Sequence, residues 1–392
     1  MEILALSMFA TAIVFLLIGF PVAFTLGGVA LLFAMGGMAV ELFDYAFLRA
    51  LPQRIYGTMT NTVLIAVPLF IFMGTMLERS RIAEELLENM GRLFGKMRGG
   101  LGVSVILVGA LLAASTGIVG ATVVTMGLMS LPTMLKRGYS PSLAAGTISA
   151  AGTLGQIIPP SIVLILLGDV IANAYQNAQL EMGIFSPETV SVGELFAGAL
   201  IPGLLLVGLY VLYQLGWAIA RPQSAPALKD TQPIALVTIL SSLLPPIFLI
   251  VAVLGSILTG IATPTEAAGV GAIGTLLLAG DRLSNGSKRI RFAAVSLLGL
   301  IILANLVDLR LNLDNPSLTS QIGIWSAFVL CGVFLTGIAT ALKRTYHAGI
   351  LNNVMLSTSK ITSMVFVILI GAALFSLVFR GLEGDEYIHD IL

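Results

Sequence analysis

Residues 99–168 read GGLGVSVILVGALLAASTGIVGATVVTMGLMSLPTMLKRGYSPSLAAGTISAAGTLGQIIPPSIVLILLG, with Lys136 and Arg137 as the only charged pair. The first run, Gly99 to Leu135, has 37 residues without an Asp, Glu, Lys or Arg. As one straight helix it would be roughly 55 Å long, against a hydrocarbon core of about 30 Å. Near its middle sits ASTGIVGAT (residues 114–122), which holds one Ser, two Thr and two Gly. The second run, Gly138 to Gly168, is interrupted by GTLGQIIPPS (residues 152–161). Unwound backbone at membrane depth is tolerated only where it is buried in protein or lines a polar cavity. The two interruptions are therefore the candidate solute site.

Composition agrees with a membrane chain: 57% hydrophobic and 10% charged residues, with a mean hydropathy of +1.01. Soluble domains carry about 25% charged residues. The apolar runs are continuous and do not alternate with period two, which predicts an all-α polytopic bundle and excludes a barrel. A net charge of zero suggests no nucleic-acid partner. The lone Cys331 excludes an intrachain disulfide and reads as a small hydrophobe in an apolar segment, and His347 and His389 have no ligand neighbours, so zinc and triad chemistry are excluded. Nothing points to an enzyme. The N-terminal apolar stretch has no basic flank and runs on through Gly19-Phe20-Pro21, which predicts two helices broken there, not a signal peptide.

Membrane segments are predicted at 3–20, 22–40, 61–77, 99–135, 139–168, 193–219, 233–258, 264–280, 292–308, 322–342 and 361–379. The 61–77 segment has only 17 residues with Pro68 in its middle, so it reads equally as a span or as a re-entrant hairpin opened by Asn61 and Thr62. Within 79–98, Ile82, Leu86, Met90, Leu93 and Met97 recur at helical spacing. This is an amphipathic helix, lying on the membrane or packed on its own protein. Residues 221–232, RPQSAPALKDTQ, form a polar linker between a first half (1–220) and a second half (233–392). Basic residues crowd 78–98 and acidic ones 169–192, which puts the first on the cytoplasmic side and the second outside. VPLFIFMGTML (67–77) also aligns with MVFVILIGAAL (364–374), a weak sign of an internal repeat.

At the first interruption Ser115, Thr116, Gly117, Gly120, Thr122 and Thr125 offer hydroxyls and freed carbonyls, hard oxygen donors suited to Na⁺, while half-helix N-termini offer N–H groups to a carboxylate. At the second, Pro159 and Pro160 forbid a regular helix, and Gly155, Gln156 and Ser161 supply partners. The competing reading is close helix packing through small residues, preferred for scattered positions such as Gly109. In GIATPTEAAG (260–269), Pro264 and Glu266 read as a capped helix start.

On GFPVAFTLGGVALLF, VPLFIFMGTML, ASTGIVGATVVTMG, LPTMLKRGYSPSLAAGTISAAGTLGQIIPPSIVLILLGD and GIATPTEAAGVGA, the chain resembles the DctM-like large permease subunit of the TRAP (tripartite ATP-independent periplasmic) transporters, nearest the mannitol/chloroaromatic branch. The resemblance implies a multi-pass protein of the bacterial inner membrane with inverted repeats, discontinuous helices and re-entrant hairpins. It implies a secondary active, Na⁺-coupled importer of organic acids with no other cofactor. A soluble periplasmic binding protein would deliver the substrate, and a small membrane subunit would be the second partner. The family's discontinuous region falls on Ser115 to Thr122, its Pro-Pro motif on Gly155 to Ser161, and its first hairpin on Asn61 to Leu77. Two departures follow. Residues 282–350 insert material that ordinary members lack, and no second Pro-Pro motif follows. The second repeat is thus expected to be incomplete, in a fragment or a truncated gene, with a non-transporting remnant or assembly subunit as the alternative role.

Overall fold

A computed structural model describes residues 2–80, 82–116, 119–227, 236–284, 286–307, 309 and 318–391. The described residues are mostly helical and contain no strand. In chain order the helices are α1 (Glu2–Ile18), α2 (Val22–Ala39), α3 (Ala46–Arg49), α4 (Leu51–Thr60), α5 (Ala66–Arg79), α6 (Ile82–Phe94), α7 (Gly100–Thr116), α8 (Val119–Lys136) and α9 (Pro141–Thr153). They continue as α10 (Ile162–Glu181), α11 (Val192–Ala220), α12 (Leu236–Leu258), α13 (Pro264–Arg282), α14 (Lys288–Leu306), α15 (Leu318–His347), α16 (Ile350–Gly381) and α17 (Gly384–Ile391). Among the described residues four of these, α2, α11, α15 and α16, are long and apolar enough to cross a membrane, and the pair 46–60 with 63–79, bent by 54° around Asn61–Thr62, forms a broken span or a re-entrant loop. The chain forms two compact units, 1–64 with 359–392, and 65–358.

In the first unit, α1 ends where Gly19 takes φ +101°, a conformation that a side chain would strain, and Pro21 precedes α2. The predicted break is thus confirmed. Its core gathers Met8, Val29, Phe43, Phe375 and Val378, with Phe9 edge-on to Phe375 at 5.1 Å between ring centres. The apolar 364–374 stretch of the weak repeat lies on α16 here, and its counterpart 67–77 lies on α5 of the second unit.

The second unit holds both interruptions. α5 crosses α13 closely because Gly271 has no side chain: a Cβ there would sit 2.5 Å from the Met73 sulfur. Pro68 is the third residue of α5, in the first turn where no intrahelical N–H is needed, so it does not break the segment as its mid-segment position suggested. The break lies earlier, at Asn61–Thr62. α6 buries Ile82, Leu86, Leu87 and Met90 in the core shared with α7 and α8. Its apolar stripe is therefore packed on its own protein, the second of the two readings; only Leu93 and Met97 stay open. α13 starts as expected, with a capping box: the Thr263 N–H donates to Glu266 Oε2 at 2.8 Å and the Glu266 N–H to Thr263 Oγ1 at 3.3 Å. Cys331, read as a small hydrophobe, lies exposed on α15, a helix that also exposes Trp325, Phe328 and Val329. Residues 228–235, the end of the polar linker and the start of the following segment, lie outside the described residues.

Candidate functional site

Helices α7 and α8 meet at the first interruption. α7 runs to Thr116 and α8 begins at Val119, while Gly117 and the side chains of Ser115 and Thr116 lie outside the described residues. The described first turn of α8 carries no acidic side chain, so the helix itself places no negative charge at the positive end of its dipole there. A Cβ at Gly120 would meet no atom within 4 Å, so the first turn of α8 borders open space on that side. Thr122 is buried. Thr125, two turns into α8, donates its hydroxyl hydrogen to Glu78 Oε1 at 2.6 Å, tying α8 to the last turn of α5.

The second interruption follows α9 directly. A 3₁₀ turn at Leu154–Gln156 ends the helix, and an irregular segment with a cis Pro159–Pro160 bond leads to α10. The two prolines have no N–H to give to the carbonyls of Gly155 and Gln156, four residues back. Ser161 answers half of this deficit: its hydroxyl donates to the Gln156 carbonyl at 2.8 Å and accepts from the Leu164 N–H at 3.4 Å, capping α10. The Gly155 carbonyl is left without a helical donor. Pro159, Pro160 and Ser161 are buried, whereas Thr153 and Gln156 are exposed.

Packing brings the two interruptions together. A Cβ at Gly152, one residue before α9 ends, would stand 2.3 Å from Val123 Cγ2 and 3.0 Å from Val123 Cα, in the second turn of α8. On its other side α9 meets α7, where a Cβ at Gly109 would lie 2.7 Å from that of Ala151. The 3₁₀ turn then packs against α7, α8, α9 and α10. α8 and α10 thereby both pack against the 3₁₀ turn that carries the Gly155 carbonyl. In general, helix N-termini favour anions and carbonyls without a helical donor favour cations. Of the predicted hairpin residues, Asn61 caps the turn that follows it, its Oδ1 accepting from the Val63 N–H at 2.9 Å.

Two polar features escaped the sequence reading. Glu78 was passed over because it directly follows the apolar 61–77 segment; an acidic residue at the edge of so short a segment was the available signal. The second is a knot behind the site, where Gln214 of α11 accepts from Thr147 Oγ1 at 3.0 Å. It presses on Gly102 of α7, where a Cβ would lie 2.1 Å from Gln214 Nε2. Nothing in α11's apolar sequence marks Gln214 beyond its being a lone amide.

The DctM component family of the tripartite ATP-independent periplasmic transporters matches residues 9–298. The C4-dicarboxylate TRAP transporter large permease protein DctM of Pseudomonas aeruginosa is 30% identical over 294 residues, 74% of this chain and 64% of that protein. Its namesake from Rhodobacter capsulatus is 34% identical over 215 residues, 54% of this chain and 47% of that protein. The ectoine/5-hydroxyectoine large permease protein UehC of Ruegeria pomeroyi is 30% identical over 280 residues, 70% and 59% of the two chains. The chain thus spans between about half and 64% of the length of these relatives.

Proposed function

This chain belongs to the DctM family of TRAP transporter large permeases, and from that membership we propose that it acts as the membrane permease subunit of a secondary active importer in the bacterial inner membrane. The imported solute is a small organic anion, taken from a periplasmic binding protein, and a small membrane subunit completes the system. Na⁺ is the coupling ion. The observation that carries the reading is the Gly152–Val123 contact, which packs the two helix breaks against each other. Anion and cation donors then share one cluster, so binding of one charge favours binding of the other, the requirement for coupled movement. An anionic solute accords with the names of relatives, which read C4-dicarboxylate and isethionate, although others read ectoine. The residues assigned to solute and ion contact are Ser115, Thr116, Gly117, Gly120 and Thr122 together with Gly155 and Gln156. Ser161, Pro159 and Pro160 hold the second break open, and Thr125 braces α8.

The test is uptake into proteoliposomes holding this chain with its two partner proteins, under an inward sodium gradient. Accumulation is expected to require sodium and to fall by an order of magnitude or more in Ser115→Ala and Gln156→Ala. Uptake indifferent to sodium and to both substitutions overturns the assignment, and no uptake at all favours an assembly role.

A further inference from the structure

Residues 283–348, outside the proposed solute site and mostly beyond the stretch that the family matches, build a second polar feature. An open cleft of about 650 Å³ lies where α13 ends, α14 begins and α15 ends. Its walls carry Arg289, Lys343, Arg344 and His347, with Ser284 and Thr340 as neutral donors, and among the described residues no acidic side chain lines it. Asp281, at the end of α13, pairs with Arg291 at 3.5 Å, and Glu85 pairs with Arg282. Arg344 Nη1 is shielded from solvent and has no hydrogen-bond partner among the described residues. A buried guanidinium nitrogen without an acceptor is costly and calls for one.

Cations at the end of α15 could be accounted for by the helix dipole, but Arg289 stands in the first turn of α14, where the dipole opposes a cation. The walls are held firmly. A Cβ at Gly280 would lie 2.8 Å from Ala341 Cα, and one at Gly337 would lie 2.1 Å from the Cβ of Ala293. α15 also carries its own depth gauge. Trp325 and Tyr346 are both exposed, and 21 residues of helix separate them by about 31 Å, the thickness of a hydrocarbon core. Lys343, Arg344 and His347 flank Tyr346, so the cleft sits at headgroup level.

We propose that this cleft is a phosphate-binding site, filled from the membrane by the headgroup of an anionic phospholipid, with Arg344 as the central contact and Arg289 and Lys343 clamping the phosphate from opposite helices. The guanidinium fork suits phosphate oxygens, and cationic pockets between spans recognise such headgroups.

The experiment titrates the purified full chain in neutral detergent with fluorescent phosphatidylglycerol, phosphatidylcholine and inorganic phosphate. Phosphatidylglycerol is expected to bind saturably and phosphatidylcholine not to. R289Q and K343Q alter exposed side chains and are each expected to weaken binding roughly fivefold, with R344Q weakening it further. K136Q, the same charge change on α8, leaves binding unchanged. If K136Q weakens binding as much as R289Q, attraction to the whole basic surface explains the data and the site is overturned. Inorganic phosphate that competes at equal concentration overturns the lipid as occupant. R289Q and K343Q keep the test decisive should R344Q not fold.

Discussion

Replacing Gly152 by alanine tests the contact on which the proposed site depends. The added Cβ would face Val123 Cγ2 at 2.3 Å, Cα at 3.0 Å and N at 3.1 Å, where ordinary contact begins at 3.4 Å. The methyl would have to retreat 3.4 − 2.3 = 1.1 Å, and the Val123 backbone 3.4 − 3.0 = 0.4 Å. A β-branched residue in a helix has essentially one χ1 rotamer, so the methyl cannot swing clear without cost. The backbone clash remains even if it does, and α8 must move away from α9. Such overpacking costs about 1–3 kcal/mol. The assay is the unfolding midpoint of the purified chain in detergent, read for wild type, G152A, V123A and the double variant. Val123→Ala removes the closest atom but not the backbone contacts, so rescue should be partial, with a coupling of about 0.5–3 kcal/mol between the two positions. In the uptake assay G152A should lose more transport than stability, because moving α8 separates the two breaks. A G152A protein as stable and active as wild type, or a double variant that shows no coupling, refutes the argument that this contact sets the site.

Thr125→Val is expected to lower stability by about 1–3 kcal/mol, because it leaves the half-buried Glu78 carboxylate without its donor, while Thr125→Ser retains most of it. Equal midpoints for the two variants would show that the bond contributes nothing. Thr263→Ala should cost about 0.5–2 kcal/mol through loss of the α13 cap, with Thr263→Ser restoring it, and the same unfolding measurement decides.

Much of the helical layout was legible because the signals are local. The charge-free runs, the Gly19–Pro21 break and the Thr263-Pro264 start each rest on residues a few positions apart, and the helices α1, α2 and α13 begin or end where those residues stand. Pro68 misled because a proline's effect depends on where the helix begins. With α5 starting at Ala66 it falls in a turn that tolerates it. The stripe on α6 was legible as an amphipathic face, but its covering was not: lipid and a neighbouring helix demand the same apolar residues. Glu78 and Gln214 were missed for a related reason. Their partners, Thr125 and Thr147, are 47 and 67 residues away in sequence.

By itself, the sequence determined that this protein is a helical membrane chain whose helices break at residues 114–122 and 152–161. Hydropathy, proline and missing N–H groups act within a few residues and need no partner to be read. Only the tertiary structure decided that the two breaks are neighbours, because the close approach of Gly152 to Val123 is a contact between helices that pattern alone cannot register. Tertiary packing likewise decided that basic residues 54 positions apart, Arg289 and Lys343, face one cleft. Their charges were visible in the chain, but their convergence depends on glycine and alanine surfaces that let α13, α14 and α15 close upon one another.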